Sequence, residues 1–471
     1  MAEPIENLQK IRLEKLLKLQ KLGVAGFPAW EDKDWKLAGR ITAIRGHGGM
    51  IFADLVNSSG KKQISFKKDN LEKAWPVIEL LDIGDFIAIC GQDYKTQAGE
   101  PTVDVSDMAL LTKSLRPLPS TWYGFSDVEE RYRQRYVDLL MNPDVKKVFE
   151  ARSKVVTLLR QKLDEVGFLE VETPVLQPLY GGATAKPFTT HHEALNVDLF
   201  LRISDELYLK RLIVGGFEKV YEISKDFRNE GIDRQHNPEF TMLEFYWAYA
   251  NYDDLMKFTE KILSEIAMEV TGSYKIAWEE KEYNLTHPWP RVTYRDLLLK
   301  DTGIDINIED TEAKLLKAIR NKDIHLKLEG VIGYGALLDA LYKNASRPKI
   351  SGPMFLTDHP AALIPLAKRK AEDPSKSATF QLLIAGYEML KAYNELNDPI
   401  DQKKRWEDEM DLAKKGLEEH EVLDEDYIRA LEYGMPPTAG WGMGIDRFVA
   451  MLTNQHTIKD TVLFPTMRPE K

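Results

Sequence analysis

The chain has 471 residues, with 64 Lys and Arg against 75 Asp and Glu, a formal net charge of −11. At about 150 residues per domain that length predicts two or three domains, and a composition 43% hydrophobic and 30% charged excludes a largely disordered chain. Taken alone, the acidic balance argues against a nucleic-acid partner, because phosphate neutralisation favours basic surfaces. No apolar run approaches the ~20 residues of a membrane helix. The charged opening MAEPIENLQKIRLEKLLKLQ lacks the apolar centre of a secretory signal. A single cysteine, Cys90, excludes an intramolecular disulfide framework and a multi-cysteine zinc site, so a reducing cytoplasm is the expected compartment.

The charge is unevenly placed. Residues 1–113 hold 16 basic and 16 acidic side chains, whereas 401–432 hold 6 basic and 12 acidic. The late acidic stretch reads as a solvated helix face.

In chain order, residues 5–22 repeat leucine and isoleucine at helical spacing with lysines between them, an amphipathic helix with a basic side that Gly23 ends. From residue 36 the pattern changes to short strands: KLAGRITAIR, MIFADLV, KQISF, DFIAICG and PTVDVSD, with the helical DNLEKAWPVIELL between the third and fourth. Five strands with a helix in that place predict an OB-fold barrel. Cys90 falls in an apolar run and is expected in the core. KSLRPLPSTW, at 113–122, reads as a linker. The expected divisions are a helix at 1–30, the barrel at 31–112, a linker at 113–143 and a second domain at 144–471. That domain opens on a long helix from about Asp144 to Val166 and carries a helical insertion near 295–345. No βαβ alternation, P-loop or GxGxxG after a strand is visible, so the reading is α+β with an antiparallel sheet.

Residues 218–228, EKVYEISKDFR, alternate, placing Val220, Glu222, Ser224, Asp226 and Arg228 on one face. After the 11-residue loop NEGIDRQHNPE, the run FTMLEFYW places Phe240, Met242, Glu244 and Tyr246 on one face. A salt-bridge ladder would explain the charges but not a ring and a phenol beside them, so a polar ligand site is the better reading.

These segments resemble the class II aminoacyl-tRNA synthetases. FRNEG followed by HNPEFTMLEFYWAYANY is similar to motif 2, GWGMGIDRFVAMLTNQHTIKDTVLFPTMRP to motif 3, and VGFLEVETPVLQP to motif 1, with Pro174 as its fixed proline. YGGATAKPF, ISDELYLKRL and AYNELNDP resemble the lysyl-tRNA synthetase family most within the class, and the class I signatures HIGH and KMSKS are absent. The resemblance covers nearly the whole chain.

It implies ATP-dependent attachment of L-lysine to tRNA(Lys) through a lysyl-adenylate, with magnesium, in a homodimer built through motif 1. For ATP it implies Arg228 at the α-phosphate and the lysine carboxylate, Glu230 and Asn237 at the adenine edge, and Phe240 and His236 at the base and phosphates. Glu388 and Gly444 line the same site, and Arg447 covers the adenine and holds the γ-phosphate. For lysine it implies Glu244, Glu395 and Tyr246 at the ε-ammonium, Glu206 and Gly182 at the α-amino group, Tyr393 along the stem, and Lys391 and Arg228 near the carboxylate. An ammonium in a dry pocket needs carboxylates, since an unpaired buried charge costs several kcal/mol. The alternative is that Glu244 pairs internally with an arginine. In the barrel, Phe52, Gln63 and Glu100 match anticodon-reading positions, a stacking ring with two edge-reading polar groups.

The sequence departs from the family pattern at three places. Of the two magnesium glutamates only Glu388 is present, and the other position is Gln381. The position that is often asparagine beside the substrate carboxylate is Lys391. The arginine often found before HNPEF is Gln235. Strict alternation also sets Lys391, Tyr393 and Glu395 on one face and Glu388 on the other, unless a bulge intervenes. Two further readings stay open: a sister ligase for aspartate or asparagine, toward which only Lys391 points, and a catalytically lapsed paralogue, toward which the departures point.

Overall fold

Leucines three and four residues apart make the first helix, α1 (Ile5–Lys21), which buries Leu16, Leu19 and the guanidinium of Arg12. In the computed structural model, residues 5–31, 33–119, 125–414 and 421–470 are described. The chain divides into two units, residues 1–126 and 127–471.

In the first unit, β1 (Leu37–His47), β2 (Met50–Asn57), β3 (Gly60–Lys67), β4 (Phe86–Lys95) and β5 (Pro101–Thr112) close into a barrel in the order β1-β2-β3-β5-β4, with α2 (Trp75–Ile78) between β3 and β4. Alternation sends Ala53, Leu55, Ile64, Phe66, Ile87, Ile89, Val103 and Val105 inward to one core. Lys113 closes the base of this unit: its buried ammonium reaches Asp82 at 2.6 Å and Asp85 at 2.7 Å. Cys90 is not a core residue. The register slips between Cys90 and Gly91, the thiol is only half-buried, and Sγ lies 3.4 Å from the Asp34 carbonyl. Alternation sends Ile87 and Ile89 inward and turns the next side chain, Cys90, outward.

The second unit opens with α3 (Val128–Arg133), α4 (Arg135–Met141) and the long α5 (Pro143–Asp164). Residues 128–141 are thus helical, and Arg135 is buried on Asp138 at 2.5 Å. Then come β6 (Leu169–Glu170), β7 (Leu176–Gln177), β8 (Thr189–His192), β9 (Val197–Leu201), α6 (Glu206–Val214), β10 (Lys219–Phe227), β11 (Glu239–Ala248) and α7 (Tyr252–Thr271). β12 (Lys275–Trp278) and β13 (Lys281–Asn284) form a hairpin. Helices α8 (Tyr294–Thr302), α9 (Glu312–Asn321) and α10 (Gly333–Ala345) lie between β14 (Arg291–Thr293) and β15 (Met354–Thr357). The chain finishes with β16 (Thr379–Ile384), β17 (Tyr387–Asn394), α11 (Pro399–Ala413), α12 (Glu425–Glu432), β18 (Thr438–Gly444) and α13 (Ile445–Leu452).

Eight strands form one sheet in the order β14-β15-β16-β17-β18-β11-β10-β6, antiparallel except for the outermost pair at each end. Its two faces differ in chemistry because the strands alternate. Leu243, Phe245, Leu390, Ala392, Trp441 and Met443 pack under α5, α7 and α13 in the largest core. The other face carries the polar residues. Asp446 at the start of α13 ties that core together, accepting from Arg152 on α5 at 2.5 Å and from the Thr241 amide at 2.9 Å.

Candidate active site

Five neighbouring strands carry the polar face in rows. One row runs Glu222, Glu244, Gly442, Lys391, Gln381 from β10 to β16, and the next runs Val220, Tyr246, Gly440, Tyr393, Thr379. A third begins Ser224, Met242, Gly444. The faces expected for 218–228 and 240–247 therefore meet in register. Wherever β18 crosses these rows it offers a glycine, so the floor is bare backbone. A Cβ on Gly440 would overlap Glu395 Oε1 and the Tyr246 ring, whereas one on Gly444 would meet nothing within 4 Å.

Glu388 reaches the same side through a bulge. Leu382 pairs with Leu390 but Leu383 pairs with Glu388, which leaves Met389 as the extra residue. The result is a cavity of about 330 Å³. Gly182, Glu206, Arg228, Glu230, His236, Asn237, Phe240, Glu244, Tyr246, Glu388, Lys391, Tyr393, Glu395, Gly444 and Arg447 all line it. Gln381 is not in the lining but donates its amide to Glu388 Oε2 at 2.9 Å.

One end is a closed, acidic pocket. Glu244 is buried and accepts from Ser204 Oγ and Tyr246 OH, both at 3.1 Å. Among the described residues it has no arginine or lysine partner, which opposes the internal-arginine alternative. Burial, with the charges of Asp226 and Glu206, pushes its carboxyl up to about 8. Glu206 accepts from Tyr393 OH at 2.8 Å. Gly182 sits at φ +82°, and a Cβ there would come within 3.0 Å of Glu206 Cβ and Ser204 Oγ; both the backbone and the close approach require glycine.

Lys210 was missed by the sequence reading. Its fully buried ammonium lies 2.5 Å from Glu206 Oε1, forms an ion pair with Glu395 Oε2, and sits about 6 Å from the rings of Tyr246, Tyr393 and Tyr427. Burial opposes its charge, but Glu206 and Glu395 outweigh that and hold it well above the usual lysine range. Burial pushes Glu395 up despite Lys210, and its Oε1 is left buried without a partner. The signal was available: Glu206 and Lys210 are four apart on α6 and so share a face. Three carboxylates against one ammonium leave room for two further positive charges.

The acidic stretch at 401–432 is not wholly a solvated face. Glu421 turns inward to the cavity lining, accepts from Trp406 Nε1 at 2.6 Å, and burial pushes it up to about 8. Part of the expected linear charge run is thus a second layer behind the acidic pocket. Residues 415–420 lie outside the described residues.

The other end of the cavity is cationic and more open. Arg228 lies over the Phe240 ring, 5.0 Å from its centre, with its Nε buried and without a partner. Arg447 donates to the Glu388 carbonyl at 3.0 Å and lies 3.4 Å from His236 Nε2, while His236 Nδ1 faces Asp233 at 2.9 Å. Asn237 is buried, donates to the Glu239 carbonyl at 2.6 Å and leaves Oδ1 free; Glu230 is exposed at the rim. Burial, reinforced by Lys391, pushes His359 behind this end down to about 3, so it is neutral.

Among the described residues, no group of three or more His, Cys, Asp or Glu side chains could hold a metal ion. Glu388, with the neutral Gln381 beside it, is the donor set a magnesium ion would meet. It fits a hard cation held by one carboxylate and completed by substrate oxygens.

On the barrel, Phe52 pairs with Ser65 and Asp54 with Gln63, so Phe52 and Gln63 share the face away from the core. Gln63 donates to Thr102 Oγ1 at 2.8 Å and accepts from Arg45 at 3.3 Å; Glu100 is exposed just before β5. Pro174 is exposed, as are the apolar Leu169 on the edge strand β6 and Val175, Leu176 and Leu179 after it.

Residues 127–468 match the family described as tRNA synthetases class II (D, K and N), and residues 35–111 match the OB-fold nucleic acid binding domain. A lysine–tRNA ligase of Carboxydothermus hydrogenoformans is 47% identical over 99% of both chains. The chain belongs to the lysine–tRNA ligase family. One relative in Pelotomaculum thermopropionicum is 46% identical over all of this chain and 96% of its own, and one in Dehalococcoides mccartyi 46% over 92% and 87%. Family membership accounts for the OB-fold barrel and for the antiparallel sheet with its flanking helices.

Proposed function

We propose that the protein attaches L-lysine to tRNA(Lys), using ATP, through a lysyl-adenylate, with release of AMP and pyrophosphate. The observation that carries this is the closed acidic pocket. With all three carboxyls ionised, Glu206, Glu244 and Glu395 against Lys210 sum to two negative charges, and free lysine brings two ammonium groups. The ε-ammonium goes to Glu244 and Glu395 beside Tyr246, and the α-ammonium to Glu206 beside Gly182. Tyr393 walls the stem. An aspartate or asparagine side chain would leave those carboxylates unmatched, and mismatch at buried polar groups is where discrimination is strong.

At the open end, Arg228 presents a planar fork to the lysine carboxylate and the ATP α-phosphate together. Phe240 stacks on the adenine, Glu230 and the backbone near Asn237 read its edge, and Arg447 with His236 holds the outer phosphates. A lysine carboxylate oxygen attacks the α-phosphorus in line, and the bond to the β-phosphate oxygen breaks. A terminal ribose hydroxyl of tRNA then attacks the acyl carbon; its proton leaves with the departing AMP phosphate. No side-chain nucleophile is required, because positioning and charge neutralisation supply the catalysis. Magnesium held by Glu388, with Gln381 beside it, would supply further neutralisation of the triphosphate.

Phe52 would stack an anticodon base, with Gln63 and Glu100 reading edges, in a domain spanning 31–112. The apolar surface around Pro174 supports a homodimer through motif 1. The partners tRNA and ATP put the reaction in the cytoplasm. Charging of a tRNA(Lys) transcript with labelled lysine, aspartate and asparagine tests the proposal: lysine alone should be attached, and attachment of either other amino acid would refute it.

A further inference from the structure

Gln381 and Lys391 face each other in register across β16 and β17. Gln381 brings no charge: its amide donates to Glu388 Oε2, and its Oε1 is buried without a partner. Lys391 is half-buried in the cavity lining, and its ammonium has no hydrogen bond or ion pair with any described residue; the Tyr393 ring lies 5.9 Å from it, and the neutral His359 is near enough to feel its charge. A partly desolvated ammonium without an acceptor is unfavourable until an anion arrives. No described carboxylate of the cleft satisfies it. Glu388 is bonded to Gln381, and Glu244 stands two strands along the same row with only Gly442 between, roughly 10 Å off at the usual strand spacing.

That row has a second meaning. A fixed cation and a carboxylate about two strand spacings apart, over a glycine floor, match an extended ω-amino acid lying with its carboxylate toward Lys391 and its ammonium at Glu244. Lys391 therefore faces the point where carboxylate and α-phosphate must meet. Two anions approaching each other there need positive charge, and a divalent cation placed at the neutral Gln381 would be repelled by the ammonium opposite it.

We propose that Lys391 is a catalytic residue that supplies, as a fixed ammonium, the charge neutralisation a second divalent ion would otherwise bring, so that the site takes up one such ion, at Glu388. This rests on the proposed function. Lys391 forms no covalent bond and moves no proton. Arg228 and Lys391 hold the reacting carboxylate and α-phosphate from two sides, and Gln381 keeps Glu388 oriented without adding negative charge near the ammonium.

Manganese binding to the full-length protein, counted by electron paramagnetic resonance with L-lysine and α,β-methylene-ATP, tests this without turnover. One Mn²⁺ per site is expected, and two or more would overturn it. The double variant Gln381→Glu/Lys391→Asn should take up a second Mn²⁺; a count still at one would also overturn it. Lys391→Met should lower lysine-dependent ATP–pyrophosphate exchange roughly 10²–10³-fold, as loss of one preorganised charge-stabilising donor does, with no rescue by added Mn²⁺ and substantial rescue in Lys391→Arg. Exchange at the wild-type rate in Lys391→Met would refute it. Normal wild-type exchange with two bound ions would sink this inference alone, whereas absent wild-type exchange would sink the proposed function with it.

Discussion

At Glu244, burial and two neighbouring carboxylates act in the same direction and raise its pKa from 4.5 to about 8. A carboxyl raised by folding stabilises the ligand-free protein below its unfolded value, and that contribution is lost as pH climbs through about 8. Arrival of the substrate's ammonium favours the carboxylate, so the proton must leave. Calorimetry in two buffers of different ionisation enthalpy should therefore show roughly one proton released per lysine bound at pH 7, and almost none at pH 9; equal values at both would contradict the assignment. Glu244→Gln should cost about 3–5 kcal/mol of lysine recognition, roughly 10²–10⁴-fold in kcat/KM for lysine, as removal of one partner of a buried charge pair does. ATP binding should survive, and its loss would move Glu244 out of the pocket. At this scale the sequence was informative where a residue's type matched its strand face, as with Glu244 and Tyr246. Its four-residue spacing from Glu206 pointed to Lys210 only weakly, because a lysine on a short helix reads as solvated until the helix is known to bury that face.

The strands decide how those residues meet. β18 crosses each row with a glycine, but only Gly440 is sterically pinned by Glu395 and the Tyr246 ring. Gly440→Ala should raise the KM for lysine by roughly 10²-fold, the scale of an ångström-level misplacement of a bound group, and leave ATP affinity intact in equilibrium dialysis; an unchanged lysine KM would contradict the close approach. In β17, alternation correctly placed Lys391, Tyr393 and Glu395 together and left Glu388 on the wrong side. The extra residue, Met389, is an ordinary apolar residue in an apolar run, and nothing about its type marks a bulge. Period-two reasoning holds between irregularities and fails across one, since a one-residue shift reverses every face beyond it.

Over the whole molecule, the net charge of −11 describes neither working surface. Residues 1–113 are balanced, and the excess acidity gathers in 401–432, part of it as Glu421 behind the acidic pocket. The balance includes the lysine-bearing first helix, and the barrel at 31–112 is itself slightly acidic, with 10 basic and 13 acidic side chains; it can still select RNA if stacking and edge contacts do the reading. Phe52→Ala should therefore cost about 1–3 kcal/mol in tRNA charging, the value of one base–aromatic stack, while amino-acid activation stays unchanged; equal loss of both would rule out the anticodon role. The long motifs made the fold and family legible, whereas the charge balance of the pocket needed Lys210 in place beside Glu206 and Glu395. That balance is the central claim, and lysine-dependent ATP–pyrophosphate exchange tests it most directly. Purified protein with magnesium and ATP should exchange pyrophosphate with L-lysine and not with aspartate, asparagine or uncharged isosteres such as norleucine; exchange without lysine's second ammonium, or none with lysine, would contradict it.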